Sequence, residues 1–348
     1  MPDTYVEPSG YVRDILDQPT ALRDTLASFA QYPTLGPFAE RLAAGDLCRV
    51  VLTGMGASFH ALHPLNLTLT ARGLCTLMIE TSELIHHAPT LLNCGTLVVV
   101  VSQSGQSAEV VELLKRAPGR MSLVGVTNTA GSPLAQGSDV TLLTRAGDEF
   151  SVSSKTYVAA LAALAWLADA LAGQDSQSTI AALDSAVDSM TKYLAGWRQH
   201  VEALCKELAS VRSLFLVGRG SSLAAVGMGA LIIKESAHFA AEGLSSAAFR
   251  HGPLEMVAPG VFVLVYAGAE PTVELNIRLA EDIRAAGGQA ALVGSTPHPE
   301  PYALPPIPEV ARPLVELLPA QMASLALAKL SGHEPGQFVR ATKITWTE

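Results

Sequence analysis

Three short runs of β-branched residues constrain this chain most. Each ends in a turn of small residues. Residues 48–53 (CRVVLT), 97–101 (LVVVV) and 122–127 (SLVGVT) are apolar without alternation. A strand with one wet face alternates, whereas a continuous apolar run needs cover on both faces. Residues 58–71 and 107–116 carry helical patterns that can supply that cover. Strands alternating with helices in this way predict an α/β fold built on a parallel sheet. Residues 155–172 and 179–208 read as joining helices, separated by the polar stretch 173–178 (GQDSQS).

The second half repeats the first. Gly54-Met55-Gly56-Ala57-Ser58 returns as Gly218-Arg219-Gly220-Ser221-Ser222, 164 positions on. The run 96–101 returns as 261–266 (VFVLVY), 165 on, and Leu123-Val124-Gly125 as Leu292-Val293-Gly294, 169 on. Unrelated doubly wound domains also share a strand, a Gly-rich turn and a helix. The common order and near-constant offset favour duplication. The expected architecture is two doubly wound parallel-sheet domains in tandem. An N-terminal helical extension (1–45) precedes a first domain (46–195) and a second domain with a tail (196–348).

Composition narrows the function classes. With 49% apolar and 16% charged residues in 348, the chain has material for two cores. Net charge is −9 and no segment concentrates Lys and Arg, so neither a nucleic-acid nor an anionic-membrane partner is expected. The start lacks a basic segment followed by an apolar run, and the apolar stretch 158–172 is too short to span a bilayer. Cys48, Cys75, Cys94 and Cys205 share no close spacing, which argues against a zinc site or a disulfide framework. A cytoplasmic protein without a metal is the expectation.

Residues 97–112 (LVVVVSQSGQSAEVVE) form the most informative stretch. Ser102, Gln103, Ser104, Gly105, Gln106 and Ser107 lie between a buried strand and a helix start, where open α/β sheets bind ligands. The helix start offers unpaired N–H groups and a positive dipole end. The serines add hydroxyl donors, and glycine permits close backbone approach. The combination predicts a site for a phosphate monoester. Ser107 also suits a helix cap, but a cap needs one hydroxyl and three are present. Ser58 suits a further phosphate hydroxyl or a cap. Walker and GxGxxG patterns are lacking. In the second half the equivalent loop reads Ala267-Gly268-Ala269-Glu270-Pro271-Thr272, without serines and with a carboxylate. One phosphate site is expected, in the first half.

Two proton-transfer candidates follow. Glu235 lies in an otherwise apolar helical run, 223–241, where burial would raise its pKa toward that of a useful base; a solvated Lys234–Glu235 edge is the plainer alternative. His238 would share its helix face and reads as structural. His251 sits in a loop reading, SSAAFRHGP, held by Gly252 and Pro253, and is the better catalytic histidine. His86 and His87 have no ligand-spaced carboxylate or Cys beside them.

GMGAS, SQSGQSAE, VGRGSS, the KES helix and RHGPLE together resemble the sugar isomerase (SIS) family. Within it they are most similar to the tandem isomerase half of the glutamine–fructose-6-phosphate aminotransferases (glucosamine-6-phosphate synthases). The resemblance covers residues 46–348. It implies flavodoxin-like SIS domains, a homodimer and a hexose or hexosamine 6-phosphate held by Ser58, Ser102, Gln103, Ser104 and Ser107. It further implies that Glu235 moves a proton between the first and second sugar carbons. His251 would open the ring, commonly from the neighbouring subunit. Val152 and Ser154 match positions lining the sugar pocket. No cofactor is implied, because a 1,2-proton transfer is redox-neutral. Three positions depart from the family pattern. Ala57 stands where Thr is usual, and Ile232 where Lys is usual. The tail lysine, a Schiff-base or proton-transfer amine in relatives, falls on Arg340 with Lys343 nearby. Arginine cannot act as such an amine. About 45 residues precede the first strand, without the terminal Cys of a glutaminase domain. The expected activity is a phosphosugar isomerase or deaminase acting on an amino-sugar phosphate. The alternatives are a deglycase of a sugar-phosphate–amino acid conjugate and a non-catalytic sugar-phosphate sensor.

Overall fold

A computed structural model describes residues 9–116, 119, 121–295 and 300–347. Two all-parallel sheets organise it. The first comprises β1 (Arg49–Gly54), β2 (Thr76–Glu80), β3 (Thr96–Val101), β4 (Ser122–Thr127) and β5 (Val140–Leu143), in the order β2-β1-β3-β4-β5. The second comprises β6 (Ser213–Gly218), β7 (Ala241–Ser245), β8 (Val261–Tyr266) and β9 (Gln289–Val293), in the order β7-β6-β8-β9. The second order repeats that of the first four strands. The apolar runs become the central strands, and β3, β4 and β8 are buried at every position.

That burial is the physical reason for the layers. Alternate residues of β3 fall into different cores. Val98 and Val100 pack under helices Thr81–His87 and Ala108–Arg116, while Leu97, Val99 and Val101 face the space between the sheets. The inner core is continuous from one sheet to the other. Helices Lys155–Leu171, Leu223–Ala237 and Leu318–Ser331 all contribute to it. Each fully buried Val or Leu there contributes roughly 1.5–3 kcal/mol of transfer free energy. The segment Glu309–Ser331 is long and apolar enough to cross a membrane, yet 83% of its apolar window is buried within the protein.

The N-terminal region folds as helices Gly10–Leu16, Gln18–Ser28 and Gly36–Ala44. They dock on the inner core. Tyr11 and Leu22 are fully buried, and the side-chain amides of Gln18 and Gln321 bond reciprocally at 3.0 Å.

The helices expected over 58–71 and 179–208 are each broken in two, at Ala61 and Gly196, and two further differences bear on the site. The helix expected over 223–241 stops at Ala237, because His238 adopts a left-handed conformation (φ 51°) that ends it. Residues 241–245 then form β7 beside β6. His238 therefore does not share the Glu235 helix face. It is exposed, with its ring 5.0 Å from that of His333. The expected loop around His251 is largely regular: β7 leads into helix Ser246–Arg250, capped by the Ser245 side chain, and His251 follows as its C-cap.

Candidate functional site

The first sheet reverses strand order between β1 and β3, which opens a crevice at their carboxyl ends. Gly54 and Val101 are register partners, so the 55–58 turn and the 102–107 loop leave the sheet side by side. Together they border a cavity of about 360 Å³.

Local chemistry shapes the loop. Gly105 has φ +62°, and a Cβ there would lie 2.6 Å from Ser132 Cβ. Only glycine suits both demands. The Ser102 hydroxyl accepts from Gly105 N (3.1 Å) and the Ser104 hydroxyl from Gln106 N (3.4 Å). Each keeps its own hydrogen for donation. Ser102 and Ser104 are buried, and they line the cavity with Gln103 and Ser107. Ser58 joins them. Gly56, not Ser58, occupies the cap position of helix Ala57–His60, so the cap alternative for Ser58 does not apply.

Glu235 reaches the same cavity from the last turn of helix Leu223–Ala237. Lys234 beside it is exposed, while Glu235 is partly buried, so the two do not form one solvated edge. Burial pushes the Glu235 carboxyl up to about 7; the Lys234 charge opposes this and the Glu149 charge adds to it. Such a carboxylate accepts a proton near neutrality, as a general base must.

Other sequence candidates lie elsewhere. Val152 and Ser154 are buried and do not line the cavity, although their neighbours Ser151 and Ser153 do. The Ser154 amide and hydroxyl instead bond to Glu149. Ile232 is fully buried in the inner core. His251 is exposed and outside the cavity lining. The tail crosses the crevice: Phe338 and residues 341–345 line it, and Ala108 N donates to Thr345 O (3.1 Å). Its cation in the cavity is Lys343; Arg340 is exposed and not part of the lining. Counting along the tail put Arg340 in that place, and the path of the backbone puts Lys343 there.

Two carboxylates escaped the sequence reading. Glu109, in the first turn of helix Ala108–Arg116, is buried with Oε2 unpartnered at the cavity wall. Glu149 has a buried side chain and sits 3.2 Å from Lys343 Nζ. The sequence signal for Glu149 was its place in EFSVSSKT, five residues ahead of Ser154.

Comparison with known proteins matches residues 47–170 to the SIS domain family. The glutamine–fructose-6-phosphate aminotransferase (isomerizing) of Pyrococcus horikoshii is 31% identical over 94% of this chain. Residues 47–170 of this chain form a SIS domain. The chain spans 57% of the length of the Pyrococcus relative. The fold of the chain is shared by the C-terminal domain of glucosamine-fructose-6-phosphate aminotransferase from Francisella tularensis. That match has a TM-score of 0.80 and 21% identity, and covers 97% of this chain and 99% of that one. A glucosamine-6-phosphate deaminase from Thermotoga maritima has the same fold. Its TM-score is 0.75 at 19% identity, covering 97% of this chain and 100% of that one.

Proposed function

We propose that this chain is a phosphosugar isomerase acting on an amino-sugar phosphate such as glucosamine 6-phosphate, with release of ammonia. The observation that carries the reading is one cavity lined by both the serine loop and a carboxylate raised to about 7. A volume of about 360 Å³ falls in the range of small-ligand pockets.

In this reading the phosphate rests on Ser58, Ser102, Gln103, Ser104 and Ser107, at the amino end of helix Ala108–Arg116. His251 assists ring opening and comes from the neighbouring subunit of a homodimer, which accounts for its exposure here. Glu235 then takes the proton from the second carbon of the open sugar and returns a proton to the first. The amine-bearing second carbon becomes an imine, water adds to it, and ammonia leaves. Hydrogen moves between carbons without net oxidation, so atoms and electrons balance with water as the only co-reactant.

Lys343 supports amine chemistry in this cavity. Unlike the guanidinium of Arg340, an amine can form an imine with an opened sugar or pass a proton.

Ammonia release from glucosamine 6-phosphate, followed by a coupled assay, tests the reading. Stoichiometric ammonia and fructose 6-phosphate are expected. Release of an amino acid from a fructosamine 6-phosphate conjugate, without ammonia from glucosamine 6-phosphate, favours a deglycase instead. Binding of either substrate without turnover leaves a sensor.

A further inference from the structure

Glu149 collects five hydrogen bonds on a buried carboxylate. Oε1 accepts from Ser154 N (2.8 Å), Ser154 Oγ (3.3 Å) and Thr156 N (3.0 Å). Oε2 accepts from Thr156 Oγ1 (2.7 Å) and Lys343 Nζ (3.2 Å). Its loop is clamped from the N-terminal helices. Phe150 N donates to Asp14 Oδ2 (2.6 Å), and Lys155 Nζ lies 3.0 Å from Asp17 Oδ2 and 3.3 Å from Asp14 Oδ1. Four of the five bonds come from Ser154 and Thr156 and do not involve the tail.

The tail is held differently. Over 338–345 it has no helix or strand, and its ties to the body include Lys343 Nζ to Glu149 and to Ser151 O (3.2 Å) and Ala108 N to Thr345 O (3.1 Å). The last of these crosses the start of the helix that follows the serine loop.

We propose that Glu149 is the positioning residue of this site: it seats the Lys343 ammonium in the cavity wall and so docks the C-terminal tail over the serine loop. The inference rests on the reading of this cavity as the sugar-phosphate site. It assigns the loop 149–156 and the N-terminal helices a part in the chemistry through Lys343, although neither supplies an atom to the phosphate cradle.

Glu149 also acts across the cavity on Glu235. The charged and titratable groups around Glu235 are Lys234 on its own helix, Glu109 on helix Ala108–Arg116, Lys343 on the tail, Tyr11 on the first N-terminal helix, and Glu149 itself. Neutralising Glu149 removes a negative charge that holds the Glu235 carboxyl up. That loss eases ionisation of Glu235.

The test uses the full chain as wild type, Glu149→Gln, Glu149→Asp, Lys343→Met and the Glu149→Gln/Lys343→Met double variant. Hydrogen exchange at the Ala108 amide reads tail docking without substrate. Glu149→Gln and Lys343→Met are each expected to speed that exchange about tenfold, the scale of one lost charge-assisted hydrogen bond. The double variant should exchange no faster than the faster single, and Glu149→Asp should recover part of the protection. With glucosamine 6-phosphate, Glu149→Gln should lower kcat about tenfold, change KM less, and move the acidic limb of kcat/KM down by about half a pH unit. Lys343→Met leaves the 149–156 bonds in place, so it remains informative if Glu149→Gln unfolds. Unchanged Ala108 exchange in Lys343→Met, or additive effects in the double variant, overturns the proposal. Because exchange needs no turnover, a wild type inactive on glucosamine 6-phosphate sinks the substrate reading while the docking result still stands or falls separately.

Discussion

At the residue scale, the serines, Gln103 and Glu235 were legible because their chemistry is concentrated. Three hydroxyls around a glycine after a buried strand suggest few other purposes, and a carboxylate in an apolar run is costly unless used. Glu149 carries only the weak signal of its place in EFSVSSKT; its partners Lys343, Ser154 and Thr156 come together only on folding. Arg340 and Lys343 could not be separated by spacing, because an extended tail has no periodicity to fix which side chain turns inward. The pH dependence of kcat/KM belongs to this scale. A base must be ionised to act, and burial holds Glu235 protonated up to about 7. Activity should therefore rise through about pH 7 and level above it, instead of rising through the ordinary carboxylate range. A limb near 4.5, close to the value of an unburied glutamate, would remove Glu235 from the role.

At the element scale, central strands were readable and edge strands were not. β1, β3, β4, β6 and β8 are continuous apolar runs, whereas β2 (TLMIE) and β7 (AEGLS) lie at sheet edges, are five residues long and are nowhere fully buried. The end of helix Leu223–Ala237 was also hidden. Ala and Phe continue past it, and the left-handed turn falls on a histidine instead of a glycine. The serine loop makes a prediction of its own. Gly105→Ala puts a Cβ into Ser132 at a positive φ. The left-handed backbone alone costs about 1–2 kcal/mol. A lower urea midpoint with an unchanged slope is expected, together with a raised KM for the sugar phosphate. A variant as stable as wild type and with the same KM would show that the loop does not need this conformation.

At the scale of the whole molecule, the repeat in the sequence and the repeated strand order agree, yet the two sheets do not stand apart. They share one inner core, and the cavity draws on both, with serines from the first sheet's loops and Glu235 from the helix after β6. The family resemblance implies such a joint site, with serines from the first half and Glu235 from the second; spacing within either half cannot show it. His251 is the remaining piece. If a second subunit supplies it, inactive Glu235→Gln and His251→Ala chains should complement when mixed. Random exchange in a two-fold dimer makes half the dimers mixed, each with one intact site, so about a quarter of wild-type activity should return. No recovery after confirmed subunit exchange would place His251 outside the neighbour's site.

The central claim is that one cavity grips a phosphate on its serine loop and moves a proton with Glu235. Deuterium entry in heavy water, at the second carbon of glucosamine 6-phosphate or the first carbon of the fructose 6-phosphate formed from it, measures that transfer directly. Wild type should incorporate deuterium, Glu235→Gln should lose about 100-fold or more of the rate, and Ser102→Ala/Ser104→Ala should need far more sugar phosphate to reach its own maximum. Incorporation at the wild-type rate in Glu235→Gln, or an unchanged concentration dependence in the serine variant, would contradict the account.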